Sequence, residues 1–238
     1  MRNNRKIGVI GAMQVETELL QQRMHHVTVS EKAGMQFYDG MIGNTAAVIV
    51  QSGVGKVNAA VCAEILINSF GITHLINTGI AGSLKDEIHV LDIVVAEDAV
   101  YHDFDITNFK YPYGQVPGIG RQTFPADEEL SKDILLALKE TSPDAHVFTG
   151  RVASGDQFIR TDERKKWIID TFAASCCEME GAAIAHAAYI NRIPFAIVRL
   201  ISDNADDEAA MSYDEIETKA AHMSAEMLFK VLEKLGQE

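Results

Sequence analysis

The chain has 238 residues, of which 47% are hydrophobic and 23% are charged, so it is long enough for one α/β domain with a single large core. Its 21 basic and 34 acidic residues give a formal net charge of −13, which repels a phosphate backbone and excludes nucleic acid as an expected partner. No apolar run approaches the length that crosses a membrane, so no membrane partner is expected either.

Strand and helix patterns alternate along the chain. Short apolar runs predict buried strands, and apolar residues at helical spacing predict helices. In chain order the pattern predicts a strand over 6–10, a helix over 16–24, a hairpin of strands 36–41 and 45–51, a helix over 57–70, strands 74–77 and 92–95, a helix over 128–139, a strand over 146–153, helices 162–171 and 182–191, a strand over 195–201 and a helix over 214–235. The side of the last helix predicted to be buried consists of Ile216, Ala220, Met223, Met227, Val231 and Leu235.

This alternation predicts the fold class. We expect one α/β domain over residues 1–238, with a mixed central β-sheet flanked by helices on both faces. In folds of this kind, ligands bind beyond the carboxyl ends of the strands. The polar residues that follow each predicted strand are therefore the candidates for chemistry.

Familiar cofactor motifs fail on their spacing. The run over 7–12 has only Gly8 and Gly11, short of a dinucleotide-binding turn. The segment SGVGKV over 52–57 resembles a P-loop, but Val50 stands in place of the first glycine and Val57 replaces the hydroxyl residue that binds magnesium. The chain also has no convincing metal-ligand spacing and no GxSxG elbow. We therefore expect no metal and no organic cofactor.

The cysteines bear on the compartment. Cys62, Cys176 and Cys177 form no CxxC pair, and free thiols are typical of a reducing environment. The apolar run that follows Lys6 is too short for the core of a signal peptide. We expect a cytoplasmic protein.

Two strand ends in the first half of the chain carry candidate site residues. Glu16 lies in the first turns of a predicted helix, where the helix dipole stabilises a carboxylate. On position alone, a helix-capping acid is the simpler interpretation. The segment over 77–82, NTGIAG, has Gly79 and Gly82, which let the backbone approach a ligand closely but also fit a tight turn.

Two strand ends in the second half add charged residues. Glu178 and Glu180 would face the same way in an extended segment, with Met179 on the opposite side. The two acids would then either form part of a ligand site or be solvated at an exposed strand end. Arg199 interrupts an apolar strand, which is costly unless carboxylates pair with it; Glu16 and Glu180 are candidates. Asp203 ends this strand, at the edge where ligands bind. The alternative interpretation is structural: Arg199 would form an ion pair and Asp203 would cap a helix.

Together these residues suit cleavage of a glycosidic bond by water. One carboxylate takes a proton from the water, and a second acid protonates the leaving group. Anionic surroundings also stabilise a transition state that resembles an oxocarbenium ion. The comparison with glycosidases is an analogy of chemistry and not of fold.

The same segments, in the same order, resemble the 5′-methylthioadenosine/S-adenosylhomocysteine nucleosidases of the nucleoside phosphorylase superfamily. The blocks that carry the resemblance run from about Lys6 to the last helix and are IGVIGAM, QSGVGKVNAA, INTGIAG, DIVVAEDAVYHDFD, YGQVPG, SGDQFI, EMEGAAIAH and VRLISDNAD. The resemblance implies the fold of that superfamily and hydrolysis of methylthioadenosine and adenosylhomocysteine, with 5′-deoxyadenosine as a further substrate. It also implies a homodimer.

The resemblance implies a role for each matching position. Glu16 would be the base that activates water, and Asp203 would protonate adenine at N7. Glu180 would hold the ribose hydroxyls, with Met179 packed under the sugar. The other implied contacts are stacking of Phe158 on adenine, reading of the base edge by the backbone of Ile159, positioning of the water by Arg199, and a pocket lining that includes Ala12, Val54 and Ile80. In the dimer, the partner's Ile106, the partner's Phe109 and the partner's Pro117 would close the 5′-alkylthio end.

Two departures from the family pattern stand out. The family often has a serine near the ligand where this chain has Ile80, so any polar role of that side chain is lost or moved. The acidic run that commonly precedes the base is here Gln14-Val15, although Glu16 itself is kept. Neither change removes a proposed catalytic group.

Three other functions stay open at this point. A nucleoside phosphorylase of the same fold would need groups that hold phosphate, and Glu16 would repel that anion. A non-catalytic nucleoside-binding protein would be favoured by the loss of Glu16 or Asp203, yet both are present. A hydrolase for another nucleoside, such as a menaquinone precursor, is disfavoured by Phe109 and Pro117, and only through the resemblance.

Overall fold

The computed structural model describes residues 5–205 and 213–236, without the side chains of 213–215 and 217. The described strands are β1 (Lys6–Gly11), β2 (His25–Lys32), β3 (Met35–Ile42), β4 (Thr45–Gln51), β5 (His74–Ser83), β6 (Ile93–Tyr101), β7 (Thr123–Pro125), β8 (Val147–Ser154), β9 (Cys176–Glu178) and β10 (Phe195–Asp203). The helices are α1 (Gln14–Arg23), α2 (Lys56–Phe70), α3 (Glu128–Thr141), α4 (Asp162–Phe172), α5 (Gly181–Asn191) and α6 (Tyr213–Leu235). A search of the described residues finds no helix with the length and apolar character needed to span a membrane.

One mixed sheet contains all of these strands, as predicted. Its hydrogen-bonded order is β10-β6-β8-β9-β5-β1-β4-β3-β2, with β7 paired to β6. A further pairing of β10 with β5 closes β5, β10, β6, β8 and β9 into a ring, from which β1, β4, β3 and β2 extend. Because β1 and β10 each pair with β5 in parallel, the carboxyl ends of these three strands meet at one edge of the sheet.

Helices cover both faces of the sheet. Along β1, Ile7 and Val9 lie in one apolar core together with α1, α3 and α6, whereas Ile10 lies in a second core with α2 and α5. Successive side chains of a strand point to opposite faces, so a strand with helices on both sides must be apolar on both. This requirement explains why β1 appears in the sequence as a continuous apolar run.

Several elements differ from the prediction, among them β2, β5 and α6. Strand β2 is exposed along nearly its whole length, and a strand with no buried face shows no apolar alternation in the sequence. Strand β5 continues to Ser83, so the NTGIAG segment is extended and not a turn. On α6, Ala220, Met227 and Val231 are buried as predicted, but Met223 is 40% exposed.

Candidate active site

The carboxyl ends of β1, β5, β9 and β10 surround one pocket. Of the residues predicted for the site, those that line this pocket are Ala12, Glu16, Val54, Ile80, Phe158, Met179, Glu180 and Asp203. Gly82 and Glu178, which the sequence had also indicated as near a ligand, line it too. The lining residues that the sequence did not single out for the site are Met13, Ala81, Cys177 and Ser202. Each of them lies within two positions of a predicted residue, so neighbourhood along the chain was the signal that could have found them.

Glu16 is buried at the junction of β1 and α1, and it contacts three backbone amides. Its Oε2 accepts hydrogen bonds from the N–H groups of Ala12 (2.7 Å) and Met13 (2.9 Å), and its Oε1 accepts one from Ile80 (3.2 Å). The contact with Met13 caps α1, so the helix-capping interpretation and the pocket interpretation both hold. Burial raises the pKa of Glu16, although the amides and the charge of Arg199 oppose the shift.

Arg199 pairs with Glu178, and the prediction that it pairs directly with Glu16 or Glu180 is wrong. Its Nη2 donates to Glu178 Oε2 at 2.5 Å and also to Asn77 Oδ1. Both partners are buried, and Arg199 stands behind Glu178 without lining the pocket. Because Glu178 and Glu180 are two positions apart, the sequence could not tell which carboxylate would turn toward the guanidinium.

Glu178 gathers several donors besides Arg199. Its Oε2 accepts the N–H groups of Glu180 (3.1 Å) and Gly181 (2.8 Å), and its Oε1 accepts the hydroxyl of Ser154. Burial alone would raise the pKa of Glu178, but the charge of Arg199 and these hydrogen bonds outweigh it and lower the pKa. Glu178 is therefore an ionised partner that fixes the start of α5.

Glu180 lines the pocket in a different electrostatic setting. Its Oε1 accepts the N–H of Gly55 at 2.8 Å, and among the described residues its Oε2 has no hydrogen-bond donor. Burial, together with the negative charge of Glu178, raises its pKa to about 7. Glu180 therefore brings to the pocket a carboxyl group whose pKa lies near neutral pH and whose Oε2 is unoccupied by donors among the described residues.

Asp203 ends β10 and also lines the pocket. Its Oδ2 accepts the hydroxyl of Ser202 (2.7 Å), and its Oδ1 accepts the N–H of Ala205 (2.7 Å). A Cβ at Gly82 would lie 2.8 Å from Asp203 Oδ1, and one at Gly79 would lie 2.5 Å from Glu16 Oε1. The two glycines of the NTGIAG segment thus make room for the two carboxylates on either side of it.

The rest of the pocket wall is apolar. Phe158 and Val54 are each 48% exposed, and they stand at the open side of the pocket. Ile159 does not line the pocket with its side chain, which is buried in a core with Ile168 and Phe172.

The residues predicted to serve a partner subunit lie elsewhere. Ile106, Phe109 and Pro117 belong to the segment that follows β6, and none of them lines the pocket of its own chain. Phe109 is 69% exposed. Within the described residues, no three metal-ligating side chains lie together in a group that could hold a metal ion.

Comparisons with known proteins agree with this geometry. The profile of the phosphorylase superfamily matches residues 6–235. A 5′-methylthioadenosine/S-adenosylhomocysteine nucleosidase from Exiguobacterium is 41% identical, over 98% of this chain and 99% of its own length. The structure of the nucleosidase of that name from Neisseria meningitidis, in complex with methylthio-immucillin-A, has a TM-score of 0.92 at 36% identity and covers 97% of this chain and 99% of that one. Futalosine hydrolase of Helicobacter pylori has a TM-score of 0.89 at 33% identity, with 95% and 97% covered.

The raised pKa of Glu180 predicts a pH-dependent stability. In the folded chain Glu180 keeps its proton up to about pH 7, whereas an ordinary glutamate has a pKa of 4.5. The contribution of the bound proton to the free energy of unfolding is therefore fully present below pH 4.5 and is lost as the pH rises through 7. Glu180→Gln keeps the shape but never ionises. We expect it to raise the free energy of unfolding by about 1–3 kcal/mol more at pH 8 than at pH 5.

Urea denaturation of the wild type and the variant at both pH values measures this difference. Glu87→Gln, which changes an exposed carboxylate, is the matched control and should show no comparable dependence on pH. A Glu180→Gln effect of the same size at pH 5 and pH 8 would contradict the assignment.

Proposed function

Since the chain belongs to the 5′-methylthioadenosine/S-adenosylhomocysteine nucleosidase family of the phosphorylase superfamily, we propose that it hydrolyses the N-glycosidic bond of these two nucleosides and of 5′-deoxyadenosine. Water and the nucleoside give adenine and the free 5′-substituted sugar. The observation that carries the proposal is the convergence of Glu16, Glu180 and Asp203, all buried, on one pocket. The three free thiols, all buried, support a reducing, cytoplasmic location.

Glu16 and Asp203 divide the proton transfers. Glu16 takes a proton from the water that attacks the anomeric carbon, and its raised pKa makes it a stronger base than an exposed glutamate. Asp203 gives a proton to N7 of the adenine ring, so the protonated base takes the electron pair of the breaking C–N bond and leaves as neutral adenine. The donors on both oxygens of each carboxylate fix its orientation before substrate arrives.

Glu180 and the apolar wall hold the substrate. The Oε2 of Glu180 accepts the ribose hydroxyls, while the anionic surroundings of the pocket as a whole stabilise the oxocarbenium character of the transition state. Met179 packs under the sugar, Phe158 stacks on adenine, and the backbone of Ile159 reads the base edge, while Ala12, Val54 and Ile80 complete the wall. Arg199 acts through Glu178, because its positive charge balances the acids from behind the pocket.

The negative charge of the pocket favours water over phosphate as the nucleophile. Its described lining has four carboxylates, from Glu16, Glu178, Glu180 and Asp203, and no lysine, arginine or histidine. A phosphate anion would enter this field without a cation to receive it, whereas water carries no charge. This composition favours hydrolysis over phosphorolysis.

A second copy of the chain completes the site. Val54 is half exposed at the pocket, and Val57 and Val61 on the same side of α2 are 74% and 41% exposed. Apolar side chains grouped in this way mark a protein interface more often than a free surface. In the homodimer, this surface meets the partner's Ile106, the partner's Phe109 and the partner's Pro117, which close the end of the pocket that holds the 5′-alkylthio group.

The direct test is to incubate the purified protein with methylthioadenosine, with and without phosphate, and to identify the products by chromatography. We expect adenine and methylthioribose in phosphate-free buffer. A phosphate requirement with a sugar 1-phosphate product would identify a phosphorylase. Cleavage of futalosine but not of methylthioadenosine would favour the activity of the Helicobacter relative, and binding without cleavage would leave a nucleoside-binding protein.

Substitution of the two acids tests their roles. We expect Glu16→Gln and Asp203→Asn each to lower kcat by about 100- to 10,000-fold, the usual range for a lost acid or base, with KM changed only a few-fold. Glu18→Gln lies one half-turn further along α1, outside the pocket, and should keep wild-type rates. Near-parental turnover of methylthioadenosine by Asp203→Asn would rule out its role as proton donor.

The dimer is tested by light scattering at micromolar concentration. The wild type should have twice the chain mass, and Val57→Asp should shift it toward the monomer and lower activity, because the charge would be buried at the interface. Leu136→Asp is the control, since Leu136 is 46% exposed on α3, which covers the opposite face of the sheet from α2. A monomeric and fully active wild type would contradict the shared site.

A further inference from the structure

The SGVGKV segment has no phosphate-binding chemistry, yet the structure gives it a place at the active site. Gly55, immediately before α2, donates its N–H to Glu180 Oε1 at 2.8 Å. Its φ of +98° is a conformation that favours glycine, and a Cβ there would lie 3.1 Å from Asp156 Oδ1. The position of Gly55 therefore fixes one oxygen of the carboxylate that we assign to the ribose.

Lys56, the next residue, lies at the centre of an ion-pair network. Its Nζ donates to both oxygens of Asp103, at 2.7 and 2.5 Å, and lies 3.7 Å from Asp156 Oδ2. Its backbone N–H donates to Asp156 Oδ1 at 2.8 Å, and the N–H of Asp156 donates to Asp103 Oδ2 at 2.9 Å. The ammonium also lies 5.5 Å from the centre of the Tyr101 ring.

The network joins three segments that are distant in sequence. Lys56 begins α2, Asp103 follows β6 at the root of the segment with Phe109, and Asp156 precedes Phe158 by two positions. None of the three charged residues lines the pocket. The network thus reaches Glu180 through Gly55 and the adenine-stacking Phe158 through Asp156.

The pairing at its centre is partly shielded from water. The side chains of Lys56 and Asp103 are 23% and 11% exposed. Burial opposes the charge of Asp103, but the hydrogen bonds from Lys56 and from the Asp156 N–H outweigh it and lower the pKa of Asp103. Loss of the ammonium would leave a shielded carboxylate without its cation, so the segments around it would have to move.

We propose that Lys56 is a positioning residue of this enzyme, which holds the Gly55 amide against Glu180 and the Phe158 segment against the pocket. The assignments of Glu180 to the ribose and of Phe158 to adenine are the points at which this rests on the proposed function. Glu16 and Asp203 are held by donors outside the network, so the geometry of the proton transfers does not depend on Lys56. A change at Lys56 should therefore affect substrate binding far more than the chemical step.

The test is Lys56→Met, which removes the ammonium and keeps most of the aliphatic stem. We expect KM for methylthioadenosine to rise about 10- to 100-fold, as expected for a displaced binding group, with kcat within about 5-fold of the wild type. Lys56→Arg, which keeps the charge, should recover most of the loss. Lys6→Met is the matched control, because Lys6 is 28% exposed and pairs with Asp39 at 2.8 Å away from the pocket.

Amide hydrogen exchange gives a second measurement that needs no turnover. In Lys56→Met the amides of residues 53–58 and 154–159 should exchange about 10-fold faster or more, and Lys6→Met should leave them unchanged. This result judges the network even if the wild type hydrolyses no nucleoside. If Lys56→Met does not fold, Asp156→Asn is the substitute, because it removes the charge of the half-exposed carboxylate of the network. It should give a smaller increase in KM and in the exchange rates of the same amides. Exchange and KM that match those of Lys6→Met, or a loss in kcat as large as that in KM, would overturn the proposal.

Discussion

The structure depends on compensating the charge of four buried carboxylates that lie together at one edge of the sheet. They belong to Glu16, Glu178, Glu180 and Asp203. Arg199 is the only cation in direct contact with any of them within the described residues, and it contacts Glu178 alone. Backbone N–H groups supply most of the remaining compensation. They are available there because strands end and helices begin at that edge, where amides have no partner within their own element. The topology that brings the ends of β1, β5 and β10 together is thus also what makes the acidic pocket tolerable.

The same arrangement gives identical residue types different properties. Glu178 accepts the guanidinium, a hydroxyl and two amides, and its pKa falls. Glu180, two positions later, has one amide donor and faces the charge of Glu178, and its pKa rises to about 7. Glu178 is therefore a counter-ion of Arg199, whereas Glu180 keeps one oxygen that can accept a hydrogen bond from a hydroxyl group. The alternation of an extended segment, which the sequence does indicate, brings both acids to one region but cannot divide these roles between them.

How far the sequence predicts the fold depends on burial. Buried strands such as β1 and β10 appear as apolar runs and were predicted within a few residues, whereas β2 has no buried face and leaves no signal. Met223 has the spacing of a buried residue and is exposed, because spacing identifies a side of a helix but not where its partner surface ends. The acids of the pocket were found because a charged residue at the end of an apolar strand is locally anomalous. Arg199 was equally conspicuous, but its partner depended on side-chain directions that only the folded chain defines.

Ile80 shows why a departure from the family pattern need not weaken the site. The contact that this position makes with Glu16 comes from its backbone N–H, which any residue other than proline supplies. Its side chain packs partly against the core with Leu20 and Ala220 and otherwise forms pocket wall. An apolar side chain beside Glu16 adds to the burial that raises the pKa of this carboxyl, and so acts in the direction that the proposed role of Glu16 as a general base requires. The serine hydroxyl that the resemblance suggests for this position is therefore separable from the support of the proposed base Glu16, which comes from the backbone of β5.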